Sequence, residues 1–179
     1  MANTFLLANN YNLGKSLVEK NLIQEANNIQ LKAKKLNCEL ILPIDVVCGK
    51  NIHDTNPVHR KINEILPEEM VLDIGYESTQ FINNKIINSK MILWNGPVGA
   101  FEFKPYDKAT NAIANIIKVN AKTLNINTLA GGGDTVSAIK NTHAEDGFNY
   151  ISNAGGAFLE WLEGNESPGV KSLKENNLS

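Results

Sequence analysis

Three glycine-rich segments contain the residues of this sequence that could do chemistry. They are residues 94–102 (WNGPVGAFE), 130–135 (AGGGDT) and 152–157 (SNAGGA). Glycine lets backbone N–H groups approach an anion closely, and a helix that starts behind such a turn adds unpaired N–H donors. Each segment alone is typical of a tight turn in a protein that binds nothing. If the three segments meet at one place, we expect them to bind phosphate.

Two carboxylates and a hydroxyl in these segments have alternative roles. Asp134 follows the glycine triplet 131–133, and a carboxylate beside phosphate would repel it unless a hard divalent cation such as Mg²⁺ lay between them. Asp134 is therefore a candidate metal ligand, or else the cap of the following helix. Thr135 could bind phosphate through its hydroxyl or stabilise the first helical turn. Glu102 could bind a ribose or be a solvated loop carboxylate.

Other classes of function find little support in the sequence. It contains neither a Walker lysine loop nor a G-x-G-x-x-G pattern, and its cysteines and histidines lack the spacing of a zinc or redox site. A formal net charge of -2 without basic clusters argues against nucleic acid and anionic membranes as partners. The apolar runs are far shorter than the ~20 residues of a membrane span, and the N-terminus resembles no secretory signal. We therefore expect a cytoplasmic protein.

The three glycine-rich segments lie between apolar runs and amphipathic stretches. This alternation predicts an α/β fold with a doubly wound, Rossmann-like parallel sheet, in which the strand C-termini share one edge. One nucleotide-binding domain is expected over residues 1–165, with a weakly docked tail at 166–179. Strands are predicted at residues 39–43, 45–48, 70–75, 91–94, 128–130 and 149–152. Helices are predicted from Gly14 through Ile29, from Phe81 to about Lys90, over 109–117 and 134–140, and over Phe158, Trp161 and Leu162.

The same segments identify a family. Residues 93–102, 131–135 and 155–164 resemble phosphoglycerate kinase, and residues 1–5, 42–45 and 72–75 resemble it in the same order. The resemblance covers essentially the whole chain. It implies a glycolytic enzyme of two doubly wound domains that transfers a phosphoryl group between 1,3-bisphosphoglycerate and ADP, giving 3-phosphoglycerate and ATP. This chain resembles most of the C-terminal, nucleotide-binding domain, whose cofactors would be ADP or ATP with Mg²⁺.

The resemblance also implies roles for individual residues. The nucleotide pocket would be lined by Leu17, Leu72, Asn95, Pro97 and Ala100, with Glu102 on the ribose. Phosphates would be bound by Gly132, Gly133 and Thr135, Mg²⁺ by Asp134, and the transferred phosphoryl group would face Gly155 and Gly156.

The sequence departs from the family pattern in three ways. The family's Leu-Glu-Gly-Lys-x-Leu-Pro-Gly-Val stretch is LEGNESPGV at residues 162–170, which loses a cation and an apolar anchor and weakens the expected docking of the tail. The usual Ser-Thr-Gly-Gly-Gly-Ala stretch has Asn153 and Ala154 in its second and third positions, which alters phosphate contact. Met1 matches a methionine internal to the family, so we expect a domain incomplete at its N-terminal side, without the acceptor domain or the lysine-bearing glycine loop. Such a fragment would be inactive alone and would self-associate, or pair with the missing half, through an exposed sheet edge. Its alternatives are a non-catalytic nucleotide-binding or interaction module and an inert remnant.

Overall fold

The computed structural model describes residues 1–164 and 171–172, and the chain divides into two compact units. The first unit contains residues 1–85 and 98–113, and the second contains residues 86–97 and the chain from 114 onward. The predicted tail, residues 166–179, lies outside the described residues except for positions 171 and 172. Among the residues that the structure describes, no helix has the length and apolarity needed to cross a bilayer.

The first unit contains an antiparallel sheet in the order β2-β1-β3. Val46 of the central strand faces Arg60 on one side and Ile74 on the other. Val46 and Cys48 are buried with Leu6, Leu13 and Ile65 in one apolar cluster. The elements are α1 (Ala2–Ala8), a 3₁₀ turn (Lys20–Leu22), α2 (Ile23–Lys35), β1 (Asp45–Gly49), β2 (Val58–Lys61), β3 (Met70–Ile74), the start of α3 (Tyr76–Ile87) and the start of α4 (Lys108–Asn120).

Three predictions made from the sequence are wrong in this unit. Strands β1 and β3 are antiparallel, and the residues between them form strand β2 rather than the crossover helix that usually joins parallel strands. Residues 39–43 are not a strand, although Leu40, Ile41 and Leu42 are apolar. The predicted helix from Gly14 starts only at Ile23, after a 3₁₀ turn, and residue 14 itself has a φ of +54°. Helix α1 was not predicted.

The second unit contains a parallel sheet in the order β4-β5-β6. The predicted α/β class and parallel sheet are therefore confirmed for this part of the chain. Helix α6 covers the predicted helical positions Phe158, Trp161 and Leu162, whose side chains lie outside the described set. The elements are β4 (Met91–Asn95), β5 (Asn127–Gly131), α5 (Gly133–Asn141), a 3₁₀ turn (Glu145–Gly147), β6 (Tyr150–Ser152) and α6 (Gly155–Leu162).

The start of α3 is capped by a carboxylate from β1. Asp45 Oδ2 accepts the N–H of Glu77 at 3.0 Å, and its Oδ1 accepts the N–H of Ser78 at 2.7 Å. These are the second and third residues of the helix, whose N–H groups have no acceptor within it. Burial would raise the pKa of Asp45, but these bonds, the Ser78 hydroxyl and the nearby Lys61 lower it below its ordinary value.

Replacing Asp45 with alanine should lower the free energy of unfolding by ~1–2 kcal/mol, because two helix N–H groups lose their acceptor. Since the pKa of Asp45 is lowered in the folded state, its contribution is fully present above pH ~4 and is lost as the pH falls below that value. Urea titrations at pH 7 and pH 3 measure both effects. Glu68→Ala, at an exposed acid of the same unit, is the control. An equal loss in both variants at pH 7 would contradict the capping role.

Candidate functional site

The C-terminal ends of the three parallel strands lie side by side. Asn95 at the end of β4 pairs with Gly131 at the end of β5, and Gly131 pairs with Ser152 at the end of β6. The turns that follow therefore leave the sheet at one edge, as the sequence predicts. In parallel α/β sheets this edge is where ligands bind.

The three turns also pack against one another. A Cβ added at Gly132 would lie 3.3 Å from Oδ1 of Asn95, the last residue of β4. A Cβ added at Gly155 would lie 2.5 Å from the Cα of Gly132 and 2.8 Å from its N, in the turn after β5. The backbone of Gly132 is thus closely approached from both neighbouring turns, and an approach this close at residue 155 requires glycine.

The turn after β5 presents backbone donors at this edge. Gly132 is the N-cap of α5 with a φ of +99°, a conformation that L side chains rarely adopt. The first intrahelical bond runs from the N–H of Val136 to the carbonyl of Gly132 at 2.9 Å. The N–H groups of residues 133–135 precede it and have no acceptor within the helix, and the same holds for the first residues of α6. Together with the positive end of each helix dipole, these groups suit an anion.

Asp134 lies in the first turn of α5, where its side chain is exposed. The alternative prediction that Asp134 caps the helix is wrong, because the N-cap is Gly132 and no side chain caps this end. Among the described residues, no group of three or more histidine, cysteine or acidic side chains could hold a metal ion. A Mg²⁺ ion at Asp134 would therefore take most of its oxygen ligands from phosphate and water, as Mg²⁺ commonly does.

The hydroxyl of Thr135 faces the protein interior, whereas the sequence suggests that it could contact phosphate. Thr135 is 1% exposed, and its Oγ1 accepts the N–H of Gly96 at 2.6 Å. The hydroxyl therefore joins the turn after β5 to the turn after β4. A phosphate contact from this residue would have to come from its backbone N–H. The buried positions of α5, which include Val136 and Ile139, indicate that Thr135 lies on the core side of the helix.

Trp94 is a second residue whose role sequence reasoning missed. Trp94 is 8% exposed as a residue, and its ring stacks on that of Phe148 with the two ring centroids 6.0 Å apart. Its indole N–H donates to the carbonyl of Gly96 at 2.8 Å. The motif containing Trp94 is noticeable in the sequence, but the donor's partner depends on the turn conformation, since Gly96 has a φ of +103°.

The remaining predicted site residues are divided between the two units. Asn95 is exposed and Pro97 half-buried in the second unit. In the first unit, Leu72 is buried in a cluster with Val47 and Tyr106, and Ala100, half-buried against this cluster, donates its N–H to the carbonyl of Leu72 at 2.7 Å. Leu17, 84% exposed, and Glu102, also exposed, lie in the first unit as well.

A buried carboxylate supports the segment that carries Ala100 and Glu102. Asp73, 2% exposed, accepts the N–H of Ala109 at the start of α4 at 3.0 Å. A Cβ at Gly99 would lie 2.3 Å from Asp73 Oδ1 and 2.8 Å from the backbone carbonyl oxygen of Tyr106, so this position also requires glycine. Burial raises the pKa of Asp73 to about 7, although two backbone N–H donors lower it, and the charge of Asp107 raises it further.

The Asp73 carboxyl makes the stability of the first unit depend on pH. Because its pKa is raised in the folded state, the folded chain binds more protons than the unfolded chain between pH ~4 and about 7. The contribution of Asp73 to stability therefore falls as the pH rises through this window, by a few kcal/mol at most. We expect the wild type to lose more stability between pH 4.5 and 7.5 than Asp73→Asn, as measured by urea titration. Equal pH slopes would contradict this account.

Comparison with known proteins gives a consistent result. The family profile described as phosphoglycerate kinase matches residues 1–165. The phosphoglycerate kinase of Rhodospirillum centenum is 44% identical over 175 residues, which cover 97% of this chain and 44% of the relative. That of Granulibacter bethesdensis is 43% identical over 175 residues, with coverages of 97% and 44%. The chain thus spans 44% of the length of these relatives.

Solved structures show the same likeness. The structure of phosphoglycerate kinase from Coxiella burnetii matches with a TM-score of 0.86 and 34% identity, over 92% of this chain and 42% of that chain. Phosphoglycerate kinase from Pyrococcus horikoshii matches with a TM-score of 0.76 and 23% identity, over 97% of this chain and 43% of that chain. The second likeness concerns the fold alone.

Proposed function

Because the chain belongs to the phosphoglycerate kinase family, we propose that it binds Mg-ADP or Mg-ATP at the edge where β4, β5 and β6 end. The observation that carries this proposal is the register of the three strands, which brings three glycine-rich turns together. Their backbone N–H groups supply donors for phosphate oxygens, and the exposed carboxylate of Asp134 is available for the cation.

The proposal assigns separate tasks to the turns. The backbone of Gly132 and Gly133 and the N–H of Thr135 bind the nucleotide phosphates. Gly155 and Gly156, at the start of α6, face the transferred phosphoryl group and stabilise the charge that develops on its oxygens. Asp134 holds Mg²⁺, which neutralises phosphate charge when bound.

The nucleoside contacts of the proposal are supported by the family resemblance. Glu102 accepts hydrogen bonds from the ribose. The other nucleotide contacts are assigned to Leu17, Leu72, Asn95, Pro97 and Ala100.

The proposed reaction is the reversible transfer of a phosphoryl group. The bond between the acyl oxygen of 1,3-bisphosphoglycerate and its phosphorus breaks, and a bond to a β-phosphate oxygen of ADP forms, giving 3-phosphoglycerate and ATP. Transfer requires donor and acceptor to be held in line. Since these 179 residues span 44% of the relatives' length, we propose that they bind the phosphoglycerate only together with an acceptor-binding polypeptide and are inactive alone. A cytoplasmic location, with the other reactions of glycolysis, belongs to the same proposal.

The edge of the parallel sheet offers a place for such a polypeptide. Among the described strands β4 has a neighbour on one side only, and Met91 at its start is 63% exposed. Unpaired edge strands pair readily with further chains. We infer that this edge pairs with the acceptor-binding polypeptide or, in its absence, with a second copy of this chain.

Two measurements test the proposal. Titration of the 179-residue chain with ADP in the presence of Mg²⁺ should show saturable binding. Mixing the chain with the acceptor-binding polypeptide of a related phosphoglycerate kinase should produce ATP from ADP and 1,3-bisphosphoglycerate, while neither part alone does so. Binding without ATP formation would instead favour a nucleotide-binding module, and no binding would overturn the proposed function.

A further inference from the structure

The peptide groups of Gly96 are held from both sides by buried side chains. Its N–H donates to Thr135 Oγ1 at 2.6 Å, and its carbonyl accepts the indole N–H of Trp94 at 2.8 Å. Thr135 belongs to α5, whereas Trp94 belongs to β4. Both bonds are partly buried, so water competes less well for their donors than it does at the surface. We call Trp94, Gly96 and Thr135 the Gly96 clamp.

The side of Gly96 on which a side chain would lie is open. Nothing lies within 4 Å of the position that a Cβ of Gly96 would take, and the backbone there has a φ of +103°. Glycine has the largest conformational freedom of any residue, so an unrestrained glycine would allow the turn to move. Pro97 follows and offers no N–H to anchor the turn. The two bonds of the clamp restrain both peptide groups of Gly96.

The clamp links two parts of the proposed phosphate site. Asn95, next to Gly96, has its Oδ1 against Gly132, as the 3.3 Å separation from a Cβ built there shows. The hydroxyl of Thr135 faces inward, where it accepts the N–H of Gly96. Because Thr135 lies in the first turn of α5, its own N–H has no acceptor within the helix. A shift of Gly96 would therefore move Asn95 relative to the glycine triplet.

We propose that Trp94 and Thr135 are positioning residues, which hold the Gly96 turn so that Asn95 stays against the glycine triplet. Neither side chain needs to touch the nucleotide for this role. The effect on nucleotide affinity rests on the proposed function, whereas the clamp itself does not. The two parts can therefore be tested separately in the same set of variants.

The first test uses hydrogen exchange at one amide. Thr135→Val keeps the shape of the side chain and removes the acceptor, and Thr135→Ser restores the acceptor. We expect the Gly96 amide to exchange at least about ten-fold faster in Thr135→Val, and near the wild-type rate in Thr135→Ser. NMR-detected exchange on the 179-residue chain measures this at a single residue.

The control is a second buried threonine in the same unit, Thr128 of β5. The Thr128 hydroxyl donates to the carbonyl of Gly147 at 2.8 Å, near the start of β5 and away from the turns. Thr128→Val also removes a buried hydroxyl and lowers overall stability. It should nevertheless leave Gly96 exchange unchanged under conditions where global unfolding does not dominate exchange.

The second test concerns the carbonyl side of the clamp. Trp94→Phe keeps an aromatic ring against Phe148 but removes the indole N–H. Gly96 exchange should again accelerate, and the double variant with Thr135→Val should show less than the sum of the two effects, because both bonds restrain the same residue.

Affinity for Mg-ADP then separates positioning from a merely structural role. We expect the dissociation constant to rise about three- to ten-fold in Thr135→Val, to recover in Thr135→Ser and to stay unchanged in Thr128→Val. Unchanged Gly96 exchange in Thr135→Val would overturn the clamp, whatever the affinities are. Faster exchange with unchanged affinity would overturn the positioning role alone. If the wild type binds no Mg-ADP, the proposed function and the positioning role fall together, and exchange still decides the clamp.

Discussion

Replacing Asp134 with asparagine should weaken the binding of Mg-ADP at least about ten-fold, and should leave the binding of metal-free ADP equal or tighter. Asp134 is exposed in the first turn of α5, where residues 133–135 offer their N–H groups. A carboxylate there attracts Mg²⁺ but repels phosphate when the metal is absent. The variant therefore weakens ADP binding only when Mg²⁺ is present, whereas a role in helix stability alone would weaken binding under both conditions.

Calorimetric titrations with ADP in Mg²⁺ and in EDTA measure both affinities. Asp146→Asn is the matched control, because it removes one exposed negative charge from the same unit, before β6 begins, whereas Asp134 follows the end of β5. A general effect of net charge would appear in both variants. If Asp134→Asn binds Mg-ADP as tightly as the wild type does, Asp134 does not hold the metal.

Gly155→Ala should produce the second large effect, a loss of ~2–3 kcal/mol in the free energy of unfolding. The new methyl group would lie 2.5 Å from the Cα of Gly132 and 2.8 Å from its N. These are backbone atoms of the neighbouring turn and cannot rotate away as a side chain does. The turns after β5 and β6 would have to separate, so Mg-ADP affinity should fall as well.

Gly156→Ala is the control for this prediction, because nothing lies within 4 Å of a Cβ at that position. Alanine favours helix over glycine by ~0.5–1 kcal/mol, so the control should be equally stable or slightly more stable than the wild type. Chemical denaturation of both variants gives the comparison. Equal stabilities for the two alanine variants would show that the turns are not in contact as described.

The meeting of the three turns could be predicted from the sequence because it follows from topology. Each glycine-rich segment lies between a strand and a helix, and parallel strands joined by right-handed crossovers end at one edge. The prediction therefore needed no knowledge of individual side-chain contacts. The register that pairs Asn95 with Gly131 and Gly131 with Ser152 confirms it.

The antiparallel sheet of the first unit could not be predicted in the same way. Residues 40–43 and 46–48 are both apolar, and periodicity alone does not decide which run will pair or in which direction. Only the second run became part of a strand, β1. Strand β2, which lies between these runs and β3 along the chain and pairs with β1, has no clear signal in the sequence.

The roles of Thr135, Trp94 and Asp73 depend on partners distant in sequence or on turn conformation. Thr135 bonds to Gly96, 39 positions away, and Asp73 bonds to Ala109, 36 positions away. A hydroxyl beside a glycine triplet suggests phosphate binding, and nothing local indicates that it faces the core instead. Such tertiary partners become visible only once the turns are placed in three dimensions.

The central claim is that the three turns together bind the phosphates of a nucleotide. Amide chemical shifts of the 179-residue chain, recorded while Mg-ADP is added, test it most directly. We predict that the largest changes fall on residues 131–135, on Gly155 and Gly156 and on Gly96, while Thr128 near the start of β5 barely moves. Saturating Mg-ADP that leaves these amides unchanged, or that shifts a different part of the chain instead, would contradict the account.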